Sequence, residues 1–448
     1  MALDMLLVTP PSVAAKPYDK DGGMTLPLGL GYLAAVLEQA GYSVELLDMA
    51  AEQARGADLT RLVRERQPRV VGISTMVVTY KNGLRIAELV KAASPTTKVI
   101  VGGPQATFLV EETLACPAVD VLARYEGEET ILELMHHFAG DGPTLDQIRG
   151  IAFKAGDHIC ETESRPLIED LDRLPFPGRH LFKLDRYAKP GVLITARGCP
   201  SHCVFCAANT LYPDPPYRAR SPHFIVDEIE EMVNRHKLNS FFIADDAFTL
   251  WPKRAMAICD LIIERRLNVQ WTCEARVNTM TRELARKMVE AGCIEVQYGV
   301  ETGNPEIMKL IRKGISLEQV EKVVDYSQAI GLDVICSFII GFPWDTAETV
   351  RQTLDFALRL GHLGCPIPNR GGKNRGRIVA MYAPLTPLPG TAIYRQAEAL
   401  GIRFLTRDWD LFTFNSPVIE TPHLSAAQVR QALYGGLGQV QTVVGQAA

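Results

Sequence analysis

Three cysteines stand close together at Cys199, Cys203 and Cys206, at the end of the segment ARGCPSHCVFC, which directly follows a predicted strand. Thiolates spaced Cys-x3-Cys-x2-Cys on one short loop can hold three corners of a cubane iron–sulfur cluster, which leaves the fourth iron free to bind another ligand. The alternatives are a zinc site and a chance grouping of buried cysteines. A structural zinc site normally takes four protein ligands, and no second Cys/His pair at suitable spacing follows. His202 lies inside the loop and would strain it as a fourth ligand. The spacing therefore predicts a [4Fe–4S] cluster.

The remaining cysteines are scattered along the chain, mostly among apolar residues, as is typical of small buried side chains. The N-terminal residues MALDMLLVTPPS carry an acidic residue within a short apolar stretch and no basic start, so they predict a first strand and not a signal peptide. We therefore expect a reduced, cytoplasmic protein. These other cysteines are Cys116, Cys160, Cys259, Cys273, Cys293, Cys336 and Cys365.

The composition of the chain argues against some classes of binding partner. The 448 residues include 47 basic and 52 acidic side chains, for a net charge of −5, which argues against mainly electrostatic binding of nucleic acid. The longest apolar run, Val334–Phe342, is about half of the roughly 18 residues that a membrane span needs. We expect a small-molecule substrate, no nucleic acid and no membrane span.

The elements that must position the cysteine loop follow from an alternation of strand and helix signals that begins near Val192. Six β/α repeats are too few for a closed eightfold barrel, so they predict an open (β/α)6 partial barrel over residues 189–385, with chemistry at the C-terminal ends of its strands. A short, mainly helical tail is expected over residues 386–448. The predicted barrel strands are Val192–Thr195, Phe241–Ala244, Val269–Cys273, Glu295–Val300, Val334–Ile340 and Ile378–Met381.

An earlier alternation over residues 1–140 predicts a doubly wound parallel sheet, Rossmann-like in type, whose ligands bind beyond the carboxyl ends of its strands. Residues 141–188 are dense in Gly, Pro and paired charges, which indicates a linker with one hairpin at most. The predicted strands of the first sheet are Met5–Val8, Val44–Leu47, Val70–Ser74, Val99–Val101 and Val119–Leu122.

The cysteine loop, with the aromatic Phe205 just before its last cysteine, resembles the radical S-adenosylmethionine (SAM) superfamily. In that family the open iron chelates the amino and carboxylate groups of SAM. An electron from the cluster then cleaves the sulfonium and gives a 5′-deoxyadenosyl radical. Chelation fixes the sulfonium beside the electron donor, so the cofactor carries the difficult chemistry and the protein supplies proximity. The resemblance also implies an electron donor such as flavodoxin or ferredoxin.

Acidic residues at three strand ends extend this resemblance. Asp245 and Asp246 follow the second barrel strand, where the family places a turn near the SAM ammonium. Glu274 and Glu301 end the third and fourth strands, where relatives contact the amino acid part or the ribose of SAM. The alternatives are a helix N-cap for the aspartates and hydrogen bonds within the barrel mouth for the glutamates.

The resemblance assigns further cofactor contacts to a basic residue and to a turn. Arg276 is a candidate partner for the SAM carboxylate, and Arg312–Lys313 is a rival for that role. Gly341 lies in the segment IIGFP, which resembles the turn that backs the adenine. Its alternative is a purely structural turn.

The first domain resembles the cobalamin-binding domains that are fused to radical SAM barrels. Gly102 and Gly103 follow a strand and let the backbone approach a large ligand closely, while Ser74 and Thr75 end the neighbouring strand and can hydrogen-bond its nucleotide tail. The cobalt-ligating Asp-x-His-x-x-Gly motif of mutase-type domains is absent from the sequence after the first strand. Cobalt would therefore have no imidazole below it. The alternative is a structural or substrate-binding domain.

Together these resemblances imply a cobalamin-dependent radical SAM C-methyltransferase that acts on an unactivated carbon of a small metabolite or natural-product intermediate. The radical step demands no side-chain base, so no catalytic residue is assigned. The alternatives are a non-methylating reaction of the same architecture, such as cyclisation, oxidation or ring formation, and a non-catalytic cobalamin or redox sensor. A basic loop at Asn369–Arg377 is either a site for an anionic substrate or a solvated loop.

Overall fold

The structure, a computed structural model, describes residues 3–12, 25–363 and 375–434. The chain divides into two compact units. The first consists of Met1–Pro190 together with Asp408–Thr413, and the second consists of Gly191–Arg407 together with Phe414–Ala448.

In the described part of the first unit, seven strands form one sheet in the order β2-β1-β3-β4-β5-β6-β7. The first five strands along the chain pair in parallel, and β5, β6 and β7 pair in antiparallel fashion. The strands are β1 (Met5–Thr9), β2 (Val44–Asp48), β3 (Val70–Ser74), β4 (Lys98–Gly102), β5 (Val121–Ala123), β6 (Ile151–Ala155) and β7 (His158–Glu161).

Helices connect the parallel strands and cover both faces of this sheet. Along β1, Leu6 and Val8 join one apolar cluster while Met5 and Leu7 join another, because successive side chains of a strand point to opposite faces. This confirms the doubly wound sheet. The helices are α1 (Leu28–Gln39), α2 (Gly56–Arg66), α3 (Tyr80–Ala93), α4 (Pro104–Phe108), α5 (Val110–Ala115) and α6 (Glu128–Ala139).

Residues 141–188 differ from the linker that the sequence suggested. Their hairpin, β6 and β7, continues the first sheet because Ile151, Ala152 and Phe153 pair with β5. Glu126 accepts a hydrogen bond from the backbone N–H of Ile168 at 2.8 Å, which ties the following stretch to the same unit.

In the second unit, six described strands form an open parallel sheet in the order β15-β14-β13-β12-β11-β8. This confirms the partial barrel. The strands are β8 (Val192–Leu193), β11 (Ser240–Ile243), β12 (Gln270–Ala275), β13 (Cys293–Glu301), β14 (Asp333–Ile340) and β15 (Ile378–Pro384). Two short pairs lie outside this sheet: β9 (Ala196–Arg197) with β10 (Arg218–Ala219), and β16 (Arg403–Phe404) with β17 (Ile419–Glu420).

Helices cover the second sheet and bury its largest side chain, Trp271, whose indole N–H donates to the Ala291 carbonyl at 2.8 Å. In the described part of the tail, Ala392–Arg395 and residues 426–434 are α-helical, and the pair of β16 and β17 lies between them. No helix among the described residues is long and apolar enough to cross a membrane. The helices are α7 (Ala208–Leu211), α8 (Pro222–Asn234), α9 (Pro252–Glu264), α10 (Arg282–Glu290), α11 (Pro305–Leu310), α12 (Leu317–Ala329), α13 (Ala347–Leu363) and α14 (Ala392–Arg395).

Candidate functional site

A cavity of about 440 Å³ lies at the C-terminal ends of the barrel strands. Parallel strands bring their carboxyl ends to one edge of the sheet, so residues far apart in sequence meet there. The cavity is lined by the three loop cysteines, by charged side chains and by residues of β12 to β15. Its charged and thiol lining consists of Cys199, Cys203, Cys206, Asp246, Glu274, Arg276, Glu301 and Lys313.

Backbone contacts hold the cysteine loop against two neighbouring segments. Gly198 has a φ of +86°, and a Cβ at this position would lie 2.2 Å from the Pro216 carbonyl oxygen, so only glycine fits. The N–H of Val204 donates to the Ile311 carbonyl at 3.2 Å, and the Val204 carbonyl accepts from the N–H of Ile393 at 3.0 Å. These contacts fix the course of the loop.

The cysteine side chains line the cavity with different environments. The Cys203 thiol donates to the Arg312 carbonyl at 3.8 Å, and the Cys206 sulfur accepts from the N–H of Ala208 at 3.4 Å. Desolvation raises the pKa of Cys206 to about 11, so a nearby cation would favour its thiolate. Among the described residues no three His, Cys, Asp or Glu side chains converge as one metal ion requires. A cubane takes one thiolate per iron and does not need such convergence.

Acidic side chains give the cavity a negative wall. Desolvation raises the pKa of Glu274, and the nearby charges of Asp246 and Glu301 raise it further while Lys313 lowers it. The pKa of Asp246 is also raised by desolvation and by the charge of Asp245. A cationic ligand such as an ammonium would relieve this repulsion, because an opposite charge stabilises a carboxylate.

Lys313 forms an ion pair with Glu301 inside the cavity. Its Nζ lies 2.6 Å from Glu301 Oε1, and the two side chains are 10% and 9% exposed. Glu301 adopts a φ of +72°, which is uncommon for a residue with a side chain. A Cβ on Gly299 would lie 2.4 Å from Glu301 Oε1 and 2.6 Å from Lys313 Nζ, so a larger residue at position 299 would displace the two side-chain ends from this arrangement.

The adjacent carboxylates of Asp245 and Asp246 have different surroundings. Asp246 lines the cavity. Asp245 is 3% exposed, and its carboxylate accepts hydrogen bonds from the N–H of Thr195 at 2.6 Å, the N–H of Ala196 at 3.0 Å and the Thr195 hydroxyl. Arg254 balances its charge and donates to the Thr195 carbonyl at 2.6 Å. The prediction that Asp245 contacts the SAM ammonium is therefore corrected, because its carboxylate anchors the strand before the cysteine loop.

Arg276 and Gly341, which the sequence assigned to SAM binding, have different places in the structure. Arg276 lines the cavity, but its guanidinium already donates to the Lys313 carbonyl and, at 3.3 Å, to Asn278 Oδ1. Gly341 lies outside the lining of this cavity, and its place behind the adenine stays a prediction. Its φ is +97°, and its N–H donates to Asp345 Oδ2 at 3.1 Å, so it shapes a turn.

Some cavity residues were not singled out from the sequence. The amide of Gln297 donates to Ser337 Oγ at 3.0 Å across β13 and β14, and Met381 and Tyr382 of β15 complete an apolar wall. The sequence could have indicated these residues, because each stands on a predicted strand or directly after one. Phe205 packs 5.6 Å from Phe342 between ring centroids, beside the loop cysteines.

In the first unit, the predicted cobalamin contacts meet at the ends of β3 and β4, where Ser74 pairs with Gly102. Thr75 is fully buried, and its hydroxyl donates to the Gly102 carbonyl at 3.0 Å. A Cβ on Gly103 would lie 2.4 Å from the Thr75 carbonyl oxygen. The hydroxyl of Thr75 therefore joins two strand ends, which corrects its predicted bond to a nucleotide tail. Ser74 and Gly102 are partly exposed at this edge.

The basic loop is not a substrate site in its described part. Arg377 donates to Asp333 from its backbone N–H at 2.7 Å and from its side chain, and Arg375 pairs with Asp325 at 3.2 Å. Asp333 begins β14, so this pair lies at the N-terminal edge of the sheet, opposite the cavity. Arg370 and Lys373 lie outside the described residues. The solvated-loop interpretation therefore holds for Arg375 and Arg377.

Two family profiles match the chain: the radical SAM superfamily over residues 193–357 and the B12 binding domain over residues 19–135. An uncharacterized methyltransferase of Pyrococcus horikoshii is 32% identical over 437 residues, which cover 96% of this chain and 91% of that relative. The chain belongs to the cobalamin-binding radical SAM family. Members of this family are enzymes that use a [4Fe–4S] cluster, SAM and cobalamin.

More distant members of the family have named reactions. The cytidylyl-2-hydroxyethylphosphonate methyltransferase of Streptomyces wedmorensis is 27% identical, over 89% of this chain and 83% of the relative. The anaerobic magnesium-protoporphyrin IX monomethyl ester cyclase of Rubrivivax gelatinosus is 26% identical, over 88% of this chain and 70% of the relative. The radical SAM methyltransferase TsrM from Kitasatospora setae, solved with cobalamin and a [4Fe–4S] cluster, has the same fold, with a TM-score of 0.75 and 18% identity over 99% of this chain and 89% of that chain.

Proposed function

We propose that this enzyme transfers a methyl group to an unactivated carbon of a small molecule. One observation carries the proposal: three cysteines, three carboxylates and a buried lysine line a single cavity at the strand ends of the barrel. This donor set fits a cluster with an open iron and a zwitterionic ligand such as the amino acid part of SAM.

The residues of the barrel have distinct proposed roles. Cys199, Cys203 and Cys206 ligate the cluster. Asp246 and Glu274 accept hydrogen bonds from the SAM ammonium, whose charge offsets the repulsion between them. When bound, the cluster with SAM supplies a carbon-centred radical, and cobalamin supplies a transferable methyl group.

The first unit is proposed to hold cobalamin at the ends of β3 and β4. Ser74, Gly102 and Gly103 are partly exposed there, and the two glycines carry no side chain that would keep a ligand away from the backbone. The buried Thr75 supports this edge through its hydrogen bond to the Gly102 carbonyl. The substrate carbon is proposed to lie against the apolar wall of Met381 and Tyr382, which excludes water from the radical.

Anaerobic turnover with SAM that carries a deuterated methyl group tests the proposal. The protein is produced with iron and cobalamin, reduced chemically, and incubated with a small-molecule metabolite extract. Methyl transfer predicts 5′-deoxyadenosine, S-adenosylhomocysteine and a product that is heavier by the labelled methyl. Formation of 5′-deoxyadenosine without labelled product would favour a non-methylating radical reaction, as the similarity to the cyclases also allows, and would contradict the proposal.

A further inference from the structure

Large apolar side chains remain exposed on the inner face of β15, an edge strand of the barrel sheet. Val379 is 42% exposed and Met381 is 50% exposed. Both point to the inner face, because successive side chains of a strand alternate and their neighbours pack against the helix-covered core. The interior of a closed eightfold barrel is filled by side chains, whereas this inner face leaves room for a ligand. The neighbours that pack against the core are Ile378, Ala380 and Tyr382.

The adjacent strand β14 continues this apolar surface. Its inner residues stand beside those of β15 in three rows, in which Ile335, Ser337 and Ile339 are the partners on β14. From Val379 to Ala383 the rows extend about 13 Å along β15, at about 3.3 Å per residue. We define the apolar strip as the apolar members of these rows, which are Ile335, Ile339, Val379, Met381 and Ala383.

The inner face of the sheet changes from polar to apolar between β13 and β14. Glu274 of β12 stands beside Gln297 of β13, and Gln297 stands beside Ile335. None of the six residues in the three rows is charged, and the structure describes all of them. Ser337 is the polar member, and its hydroxyl already accepts a hydrogen bond from the Gln297 amide at 3.0 Å. The apolar strip therefore offers little to a polar ligand.

The lower end of the apolar strip is closed to charge as well. Asp333 and Arg377, at the start of the same two strands, neutralise each other in an ion pair at 2.6 Å. A polar substrate group on the strip would lose its hydration without gaining a partner, which costs free energy. A hydrocarbon gains free energy on the same surface, and an exposed apolar patch rimmed by polar residues is typical of a ligand groove.

We propose that the substrate is lipid-like and that its uncharged hydrocarbon chain, alkyl or isoprenoid, lies along the apolar strip. This inference rests on the proposed function and names its substrate class. A saturated carbon of such a chain has no neighbouring group that activates its C–H bonds, which is the kind of carbon for which a radical reaction is needed. The polar lining of the cavity, with Asp246 and Glu274, is then left to SAM.

The chain offers a matched pair of variants. Val379→Thr keeps the branched shape of the side chain and adds a hydroxyl to the apolar strip. Ile294→Thr is the control, because Ile294 is also β-branched, lies on β13 of the same sheet and is 44% exposed. Its alternation with Val296, which belongs to the core, places Ile294 on the helix-facing side and not on the strip.

Binding is measured first, on the anaerobically reconstituted protein. Hexanol, octanol and decanol compete with the fluorescent probe aminoanthracene, and SAM affinity is measured by calorimetry. We expect the affinity for the alcohols to rise about threefold per added methylene, as hydrocarbon burial predicts. Val379→Thr should weaken decanol binding about fivefold, because the added hydroxyl is left without a partner, while its SAM affinity stays that of the wild type. Ile294→Thr should match the wild type throughout.

Turnover then identifies the substrate class. A metabolite extract is partitioned between water and an organic solvent, and each fraction is incubated with the reduced protein and SAM that carries a deuterated methyl group. We expect a labelled product from the organic fraction only. A labelled product from the aqueous fraction only would overturn the lipid-like substrate and leave the proposed function standing.

Three results of the binding experiment would also overturn the inference. They are an affinity that does not depend on chain length, equal losses in the two variants, and a loss of SAM affinity in Val379→Thr, which would show that the strip holds SAM. If neither fraction yields a labelled product, the proposed function fails instead. The alcohol series with the two variants then still decides whether the apolar strip binds hydrocarbon.

Discussion

Lys313 Nζ lies 2.6 Å from Glu301 Oε1 within the cavity, and both side chains are about nine-tenths buried. Removal of the lysine alone would leave a buried carboxylate without its partner. We expect Lys313→Met to lower the free energy of unfolding by about 3 kcal/mol, and the double variant Glu301→Gln/Lys313→Met to regain most of that loss.

Urea unfolding measures this difference. Lys309→Met provides the control, because Lys309 and Glu306 form an ion pair that is 73% and 72% exposed, and its loss should cost less than about 1 kcal/mol. A Lys313→Met variant as stable as Lys309→Met would show that the buried ion pair stabilises the protein no more than the exposed pair does.

The neighbouring aspartates should respond differently to the same substitution. Asp245→Asn removes the charge that balances Arg254 and disturbs the bonds to Thr195, so we expect a loss of about 3 kcal/mol in unfolding free energy. Asp246→Asn should change stability little but weaken SAM binding about tenfold, the value of one hydrogen bond to a charged group. Urea unfolding and calorimetry with SAM separate the two effects, and a reversed pattern would refute the assignment.

Gly102 and Gly103 form a matched pair in the first unit. Gly103→Ala places a Cβ 2.4 Å from the Thr75 carbonyl oxygen at a φ of +99°, whereas the nearest atom to a Cβ on Gly102 is 3.4 Å away. We expect Gly103→Ala to destabilise the first unit by about 1–3 kcal/mol and to lose cobalamin, with Gly102→Ala close to wild type in stability. Thermal unfolding and the cobalamin content of the purified variants provide the readouts. Equal stability of the two variants would contradict the steric argument.

The pH dependence of the free energy of unfolding should reflect the titration of Glu274. Its pKa in the folded protein is raised, chiefly by desolvation, so the folded state holds the proton more tightly than the unfolded state does. The protonated Glu274 contributes its full stability below about pH 4.5, the ordinary pKa of glutamate. This contribution is lost as the pH rises through the raised pKa of the folded state. Glu274→Gln should therefore be more stable than wild type at pH 7, and this advantage should disappear near pH 4. An advantage that grows on acidification would have the wrong sign.

The sequence predicts the parallel strands well because their apolar runs are short, buried and separated by amphipathic helices. It predicts less well which residue at a strand end faces the cavity. Asp245 and Asp246 are chemically identical neighbours, and only the alternation that continues from the buried Ile243 turns the first inward and leaves the second accessible. Thr75 is a similar case, since its hydroxyl is engaged by Gly102 across the strands.

The ion pairs of the basic loop could have been foreseen from topology. Arg377 directly precedes β15, and the start of a parallel strand lies at the sheet edge opposite its end. The pairing of Lys313 with Glu301 required the structure, because Glu301 ends β13, Lys313 follows α11, and their spacing in the sequence does not indicate the contact. Sequence spacing therefore predicted that the three cysteines share one site, and side-chain packing decided which charges accompany them.

Electron paramagnetic resonance of the anaerobically reconstituted, reduced protein tests the central claim most directly, by comparing spectra with and without SAM. The account predicts a [4Fe–4S]⁺ signal that changes when SAM binds, and its loss in Cys203→Ser, while the Cys116→Ser control keeps it. A protein that holds only zinc, or a cluster whose signal is indifferent to SAM, would contradict the account.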